Sequence, residues 1–202
     1  AEVTAKLLSD TLLKDVTVIN RKLSTAAKTL YSIPADTLYK ELMQESDNFI
    51  AEQLLLICAG VLSDSLKPEI AINYMKKNYL LDLPDEPIWV DGSGLSRYNL
   101  FTPRSIVKLW EKISERVPRA RLFPLLAIGG KTGTVKKYYK NEPPYLYGKT
   151  GTLTNNHSLS GHLVTRKGRT LIFSFMNNNH PAQTSVVRQE METILKQLYL
   201  HY

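Results

Sequence analysis

At 202 residues, with 43% hydrophobic and 22% charged residues, the chain can bury a full core as one domain, and its composition excludes a mostly disordered protein. No apolar run approaches the roughly 20 residues of a membrane-spanning helix. A formal charge of +7, from 26 basic against 19 acidic residues, favours anionic partners without choosing among nucleic acid, an anionic cell envelope and a carboxylate substrate.

The first residues, Ala-Glu-Val-Thr, carry neither a basic segment nor an apolar signal core, which predicts a polypeptide that is cytosolic, already processed, or cut from something longer. A helix is predicted over Ala5 to Leu13, then a short β-like run Val16-Thr17-Val18-Ile19 and a polar connection to Leu30-Tyr31-Ser32-Ile33. Pro34 opens a second helix with an apolar stripe at Leu38, Leu42 and Met43. It runs out at Glu45-Ser46-Asp47-Asn48, residues that prefer turns and caps. A third helix follows from Asn48, with Gly60 as its predicted stop. The single cysteine, Cys58, cannot form an internal disulfide, and its apolar run Leu54-Leu55-Leu56-Ile57-Cys58 predicts a buried structural thiol. A fourth helix is predicted over Pro68 to Asn78, with Ile70, Ile72, Tyr74 and Met75 apolar.

Pro84 to Pro87 forms a rigid connection into Ile88-Trp89-Val90 and the turn Asp91-Gly92-Ser93-Gly94-Leu95-Ser96, where Asp91 can hydrogen-bond the backbone. Thr102 caps a helix with Pro103 in its first turn and Ile106, Val107, Trp110 and Ile113 on its buried face. Residues 118–147 read as loop. Two β-rich runs about Asn155-Asn156-His157 read as a hairpin that carries Lys149 on its first strand. Thr170 to Met176 reads as a buried strand and Val186 to Tyr199 as a closing helix. Helices, then strands, then a helix predict an α+β fold, an antiparallel sheet flanked by helices on both faces.

Four groups of residues bear on chemistry. Lys136-Lys137-Tyr138-Tyr139-Lys140 has the make-up of a phosphate-tracking, base-stacking run, but its basic residues do not continue along a neighbouring element, so it reads as a solvated loop. The histidines His157, His162, His180 and His201 lack metal-ligand spacing, and one cysteine gives zinc little to build on, so neither a metal nor a cofactor is predicted. Two Gly-Lys-Thr-Gly stretches start at Gly130 and Gly148, but a phosphate-binding loop would need glycine at Leu125 or Pro143, and the nucleotide reading fails. The stretch at Gly148 instead offers a carboxylate the Lys149 ammonium, the Thr150 hydroxyl and the side-chain-free Gly151.

The fourth group joins Ser46-Asp47-Asn48 to Lys149-Thr150-Gly151, the second and third motifs of penicillin-recognising serine enzymes. With the flanks Phe49-Ile50-Ala51-Glu52, the turn Asp91 to Ser96 and Thr152-Leu153, the chain from about Leu30 to Phe175 resembles the class C low-molecular-mass penicillin-binding proteins. These are D-alanyl-D-alanine carboxypeptidases and endopeptidases of the bacterial envelope. The resemblance implies a serine β-lactamase/DD-peptidase-like fold, an acyl-enzyme mechanism, a location in the periplasm or cell envelope, a peptidoglycan stem peptide ending in D-Ala-D-Ala as substrate, and β-lactams as inhibitors. It implies that Ser46 passes a proton and that Asn48 holds the substrate amide and the catalytic lysine. It further implies that Lys149, Thr150 and Thr152 receive the terminal carboxylate, that Gly151 lets the substrate approach closely, and that the Thr152 N–H forms half of an oxyanion hole. A charge-assisted hydrogen bond of about 1.5–3 kcal/mol would select a C-terminal residue over an internal one. Two other readings stand beside it, a non-catalytic envelope module that keeps the cleft and a basic nucleic-acid binder.

The family's nucleophile motif, Ser-x-x-Lys, is expected well before Ser46. The one formal match, Ser105-Ile106-Val107-Lys108, comes after it, so Ser105 reads as a helix-start residue and Lys108 as solvated. Thr25-Ala26-Ala27-Lys28 has threonine in the serine position. The chain is therefore expected to be the C-terminal part of a longer catalytic domain, with Ser-x-x-Lys upstream. Loss of a serine nucleophile costs about 10⁶ in rate, roughly 8 kcal/mol, so these residues alone are expected to be almost inactive. The duplicate at Gly130 falls where the family has a Gly-x-Asp-Gly-Thr segment, and Lys131 is assigned a structural role.

Overall fold

Glu2–Leu12 forms helix α1, which ends where Leu13 turns left-handed at φ 52° and returns its N–H to the Ser9 carbonyl. The computed structural model describes residues 1–28 and 31–202. Chain contacts divide them into a unit over Ala1–Ser32, which holds α1, and a unit over Ile33–Tyr202, which holds everything else described below. No α1 side chain is buried. The β-like run Val16 to Ile19 is not a strand. Val18 and Ile19 are exposed, and an extended run with no ladder partner gains nothing from β propensity. Leu30, in the predicted connection, lies outside the described residues.

In the second unit, α2 (Ala35–Glu45), α3 (Asn48–Leu62) and α4 (Pro68–Tyr79) precede α5 (Pro103–Arg116) and α6 (Arg119–Leu125). Strands β1 (Ala127–Ile128), β2 (Leu146–Leu153), β3 (Asn156–Val164) and β4 (Thr170–Asn177) pair in sequence order, all antiparallel, and α7 (Thr184–His201) closes the chain. The α+β class and the flanked antiparallel sheet follow the sequence reading. Side chains alternate across the sheet with period two. Leu146, Leu159, Leu163 and Phe173 share one core with Met191 and Leu195 of α7. Tyr147, Val164 and Ile172, on the other face, pack against Trp110 of α5 and Leu122 and Phe123 of α6.

Three expectations are corrected. Residues 118–147 are not all loop: they hold α6, β1 and a 3₁₀ turn over Gly133–Val135. Helix α6 has only seven residues with Pro124 in its last turn, too short for a periodic stripe, yet it buries Leu122 and Phe123. Gly60 does not stop α3, which continues to Leu62, where Ser63 returns its N–H to Ala59. Cys58 is exposed rather than buried. Helix α3 is apolar on most of its circumference, but of its residues only Leu55 and Ala59 are buried, clustered with Ala71 and Ile72 of α4, so an apolar run did not identify the buried face.

The strands that carry the site approach closely at a glycine pair, Gly148 opposite Gly161. Gly161 has φ 149°, and a Cβ there would lie 2.2 Å from the Tyr147 carbonyl oxygen and 2.6 Å from the Gly148 Cα. Those are backbone atoms that cannot swing aside. Gly161→Ala should therefore lower unfolding stability by roughly 3 kcal/mol in a urea titration, and an unchanged midpoint would mean the strands can separate at no cost.

Candidate active site

The Ser46-Asp47-Asn48 segment is a joint between two helices. Glu45 ends α2, and Ser46 takes the left-handed conformation, φ 64° and ψ 47°. Asp47 is the cap of α3, its Oδ1 accepting the Ile50 N–H at 2.8 Å. A non-glycine residue in that region costs about 1 kcal/mol, a strain characteristic of functional positions. The joint is fixed from both sides. Gln44, buried, donates through Nε2 to the Pro124 carbonyl at 2.9 Å. Glu52, one turn into α3, accepts the N–H groups of Gly92 at 3.2 Å and Ser93 at 2.9 Å. The Ser93 hydroxyl, joined by those amides, holds the Glu52 carboxyl below the usual range. Asp91 in turn accepts from the N–H groups of Gly94 and Ser96 at 2.6 and 2.7 Å, so the Asp-Gly-Ser-Gly turn is a rigid brace against α3. A Cβ on Gly92 would lie 2.7 Å from the Ala51 carbonyl, which is why glycine stands there.

Lys149 lies on β2, facing the side of the sheet that packs on α5. Its ammonium donates to the Ser46 hydroxyl and to the Thr150 carbonyl at 2.9 Å. Burial pulls the Lys149 pKa down to about 8. Opposite Lys149 on β3, Ser160 accepts the Trp110 indole N–H at 2.9 Å, and farther along that face His162 Nε2 meets Ser114 at 2.8 Å. This polar floor ties β3, the strand paired with the lysine strand, to α5.

The edge of β2 is unpaired beyond β1. Gly129 donates its N–H to the Leu146 carbonyl, so the backbone groups of Leu146, Gly148, Thr150 and Thr152 point toward β1. Strand β1 ends at Ile128, opposite Tyr147, which leaves the N–H and C=O of Thr150 and Thr152 without a strand partner. An extended ligand can add to such an edge. The Thr152 hydroxyl points away from it, to His157 Nδ1 at 2.9 Å. Burial, with Arg188 and His180 adding to it, pushes the His157 pKa down to about 4 and keeps the ring neutral.

Of the residues singled out from sequence, Ser46, Lys149, Thr150, Gly151 and Thr152 stand on this joint and strand, and the lysine physically bridges the two motifs. Asn48 is exposed and its side chain makes no hydrogen bond among the described residues. Ser105 is buried, its hydroxyl donating to the Asp85 carbonyl at 3.0 Å, while Lys108 pairs with Glu111 at 3.2 Å and does not reach Ser105. Lys131 is exposed and pairs with Glu142 at 3.1 Å. Among the described residues no three His, Cys, Asp or Glu side chains gather as a metal site. Sequence reading met Glu52 only as a flank and Thr134 only within the repeat, and gave neither a role. The glutamate was legible as a carboxylate one turn after a cap and opposite a glycine-rich turn; Thr134 gave no signal beyond membership of the repeated pentapeptide.

This arrangement, an antiparallel sheet between helical layers with a serine joint facing a lysine strand, defines the serine β-lactamase/DD-peptidase fold. Penicillin binding protein 4 (dacB) of Haemophilus influenzae, crystallised with a β-lactam, superposes with a TM-score of 0.71 at 24% identity, over 82% of this chain and 41% of that one. A class A β-lactamase representative from Bacteroides cellulosilyticus gives 0.60 at 19% identity, over 83% and 63%. Residues 3–198 match the D-Ala-D-Ala carboxypeptidase 3 (S13) family, and the chain belongs to that family. It is 29% identical over 166 residues to the D-alanyl-D-alanine carboxypeptidase DacB of H. influenzae, covering 72% of this chain and 32% of that protein. It is 31% identical over 115 residues to the penicillin-sensitive carboxypeptidase A of Dictyostelium discoideum, covering 52% and 22%. The chain spans between 21% and 36% of the length of the curated relatives it matches.

Proposed function

We propose that the chain is the C-terminal part of the catalytic domain of a serine-type D-Ala-D-Ala carboxypeptidase of the cell envelope. Peptidoglycan stem peptides are its substrates, in terminal or cross-linked form, β-lactams are its inhibitors, and an acyl-enzyme is its intermediate. The observation that carries this reading is the Lys149 ammonium seated on the Ser46 hydroxyl beside the open edge of β2.

In this reading a stem peptide lies along β2. Its terminal carboxylate takes charge-assisted bonds from Lys149 and the Thr150 hydroxyl, and its scissile carbonyl faces the Thr152 N–H. Gly151 lets the peptide backbone come close. Ser46, held by the ammonium, relays a proton between attacking oxygen and leaving amine, and Asn48, free of internal partners, turns toward the substrate amide. The acylated serine and its lysine base stand in a Ser-x-x-Lys segment N-terminal to these residues; the fraction of the relatives' length that the chain covers leaves room for it.

Calorimetric titration of the chain with a stem peptide ending in D-Ala-D-Ala, and with the same peptide as its C-terminal amide, tests the receptor. The free carboxylate should bind at least about tenfold more tightly, as one charge-assisted bond provides. Equal affinities would sink the assignment. The buried state of Ser105 favours a second reading, a binding module that keeps the cleft without a nucleophile. Fluorescent penicillin on the full gene product separates the two, because only the enzyme is covalently labelled.

A further inference from the structure

Gly130-Lys131-Thr132-Gly133-Thr134 repeats Gly148-Lys149-Thr150-Gly151-Thr152 residue for residue, and the reading above leaves the first copy without a task. Its place in the fold supplies one. The copy runs from the end of β1 into the 3₁₀ turn Gly133–Val135 and is held there by backbone. Gly133 has φ 63°, and a Cβ on it would lie 2.5 Å from the Gln44 carbonyl oxygen and 2.8 Å from the Ala127 Cβ. The turn thus sits directly on the end of α2, two residues before Ser46, and against β1. Thr132 fixes the approach, its hydroxyl accepting the Ile128 N–H at 3.1 Å. From this seat Thr134 reaches the other half of the site: its Oγ1 and that of Thr150 lie 2.7 Å apart, with Thr150 as the donor. One short turn therefore touches both the serine joint and the lysine strand.

We infer that Thr134 is a positioning residue for Thr150: it fixes the rotamer of the Thr150 side chain and supplies the hydrogen bond that lets that hydroxyl select a carboxylate. The inference rests, for its ligand, on the carboxylate reading of β2. A hydroxyl has one hydrogen, and a carboxylate only accepts. In the structure the Thr150 hydrogen is given to Thr134. When a carboxylate arrives, the two hydroxyls exchange roles without moving a heavy atom: Thr134 donates to Thr150, and Thr150 donates to the ligand. A donor polarised by a second hydroxyl behind it binds an anion more strongly than the same donor alone. An amide end group, which can donate as well as accept, gains much less from this chain of hydroxyls, so Thr134 contributes to selectivity.

The test uses the whole chain with Thr134→Val, which keeps the shape and removes the hydroxyl, Thr134→Ala as a second removal, and Thr134→Ser, which restores it. Three-bond couplings report the Thr150 χ1 rotamer without any ligand. They should show one rotamer in the wild type and in Thr134→Ser, and averaging in Thr134→Val and Thr134→Ala. Preference for a D-Ala-D-Ala carboxylate over its amide should fall about fivefold in both removal variants and recover in Thr134→Ser, with thermal midpoints unchanged. A single fixed Thr150 rotamer in Thr134→Val and Thr134→Ala would overturn the inference, as would undiminished selectivity in both. If the wild type discriminates between neither ligand while the removal variants still release the Thr150 rotamer, the positioning role stands and the carboxylate reading of the site falls instead.

Discussion

Lys149→Met should lower affinity for a peptide ending in a D-alanine carboxylate by about 100-fold, while Lys131→Met should leave it within about twofold, both measured by calorimetry on the folded chain. The two lysines share the same five-residue context, so composition cannot separate them; their surroundings do. Lys149 is partly withdrawn from water and held between the Ser46 hydroxyl and the Thr150 carbonyl, so methionine removes a charge whose bonds are worth more at low dielectric. Lys131 sits in solvent opposite Glu142, where an exposed ion pair contributes little. The reverse pattern would place the receptor on the wrong copy. A pH titration sharpens the test. Burial lowers the Lys149 pKa to about 8, so the ammonium proposed to bind a carboxylate is present below that pH and lost above it. Affinity should be flat from pH 6 to 7.5 and then fall by up to about tenfold per unit, a break that Lys149→Met abolishes.

How much of this was legible beforehand depended on whether the signal was local. Asp47 and Thr102 cap the helices their sequences predict, because a cap is a bond between residues three apart. The hairpin follows from two β-rich runs and a polar connection, but its turn is Thr154-Asn155, and Asn156 and His157, read as turn, open β3. Helix α6 was missed because seven residues with a proline carry no period; what makes it a helix is Leu122 and Phe123 packing near Tyr147, far along the chain. Cys58 was misplaced for the opposite reason, a helix apolar on too many sides to announce its buried face. In the site, the two tripeptides were readable as motifs, but the left-handed Ser46, the Glu52 brace and the Thr134 contact join residues 16 to 103 positions apart or depend on a backbone angle, and no spacing rule encodes them.

Incubated by itself with a fluorescent penicillin at neutral pH, the chain should acquire no stoichiometric covalent label. Acylation needs a serine whose proton can leave for a nearby base. Ser105 is the formal candidate, but its hydroxyl is buried and donates to the Asp85 carbonyl, and Lys108 is engaged with Glu111. Ser46 has the lysine at hand, yet Lys149 gives it a proton rather than taking one. With a pKa of about 8, only about one Lys149 in ten is neutral at pH 7, and each neutral molecule must still present Ser46 to the ring from a strained joint. Removing a hydrolase's serine nucleophile costs about 10⁶ in rate, so on the proposed reading, with the nucleophile outside these residues, the chain should react at background speed. Mass spectrometry after digestion makes the outcome specific. Label on Ser46 that grows about fivefold between pH 7 and 8, as the neutral fraction of Lys149 does, would make Ser46 and Lys149 a working dyad; label on Ser105 would show that α5 opens and that the motif match was functional. Restored labelling when a polypeptide carrying Ser-x-x-Lys is supplied together with these residues, on a serine outside them, is the result that the unpaired edge of β2 and the proton-donating lysine call for.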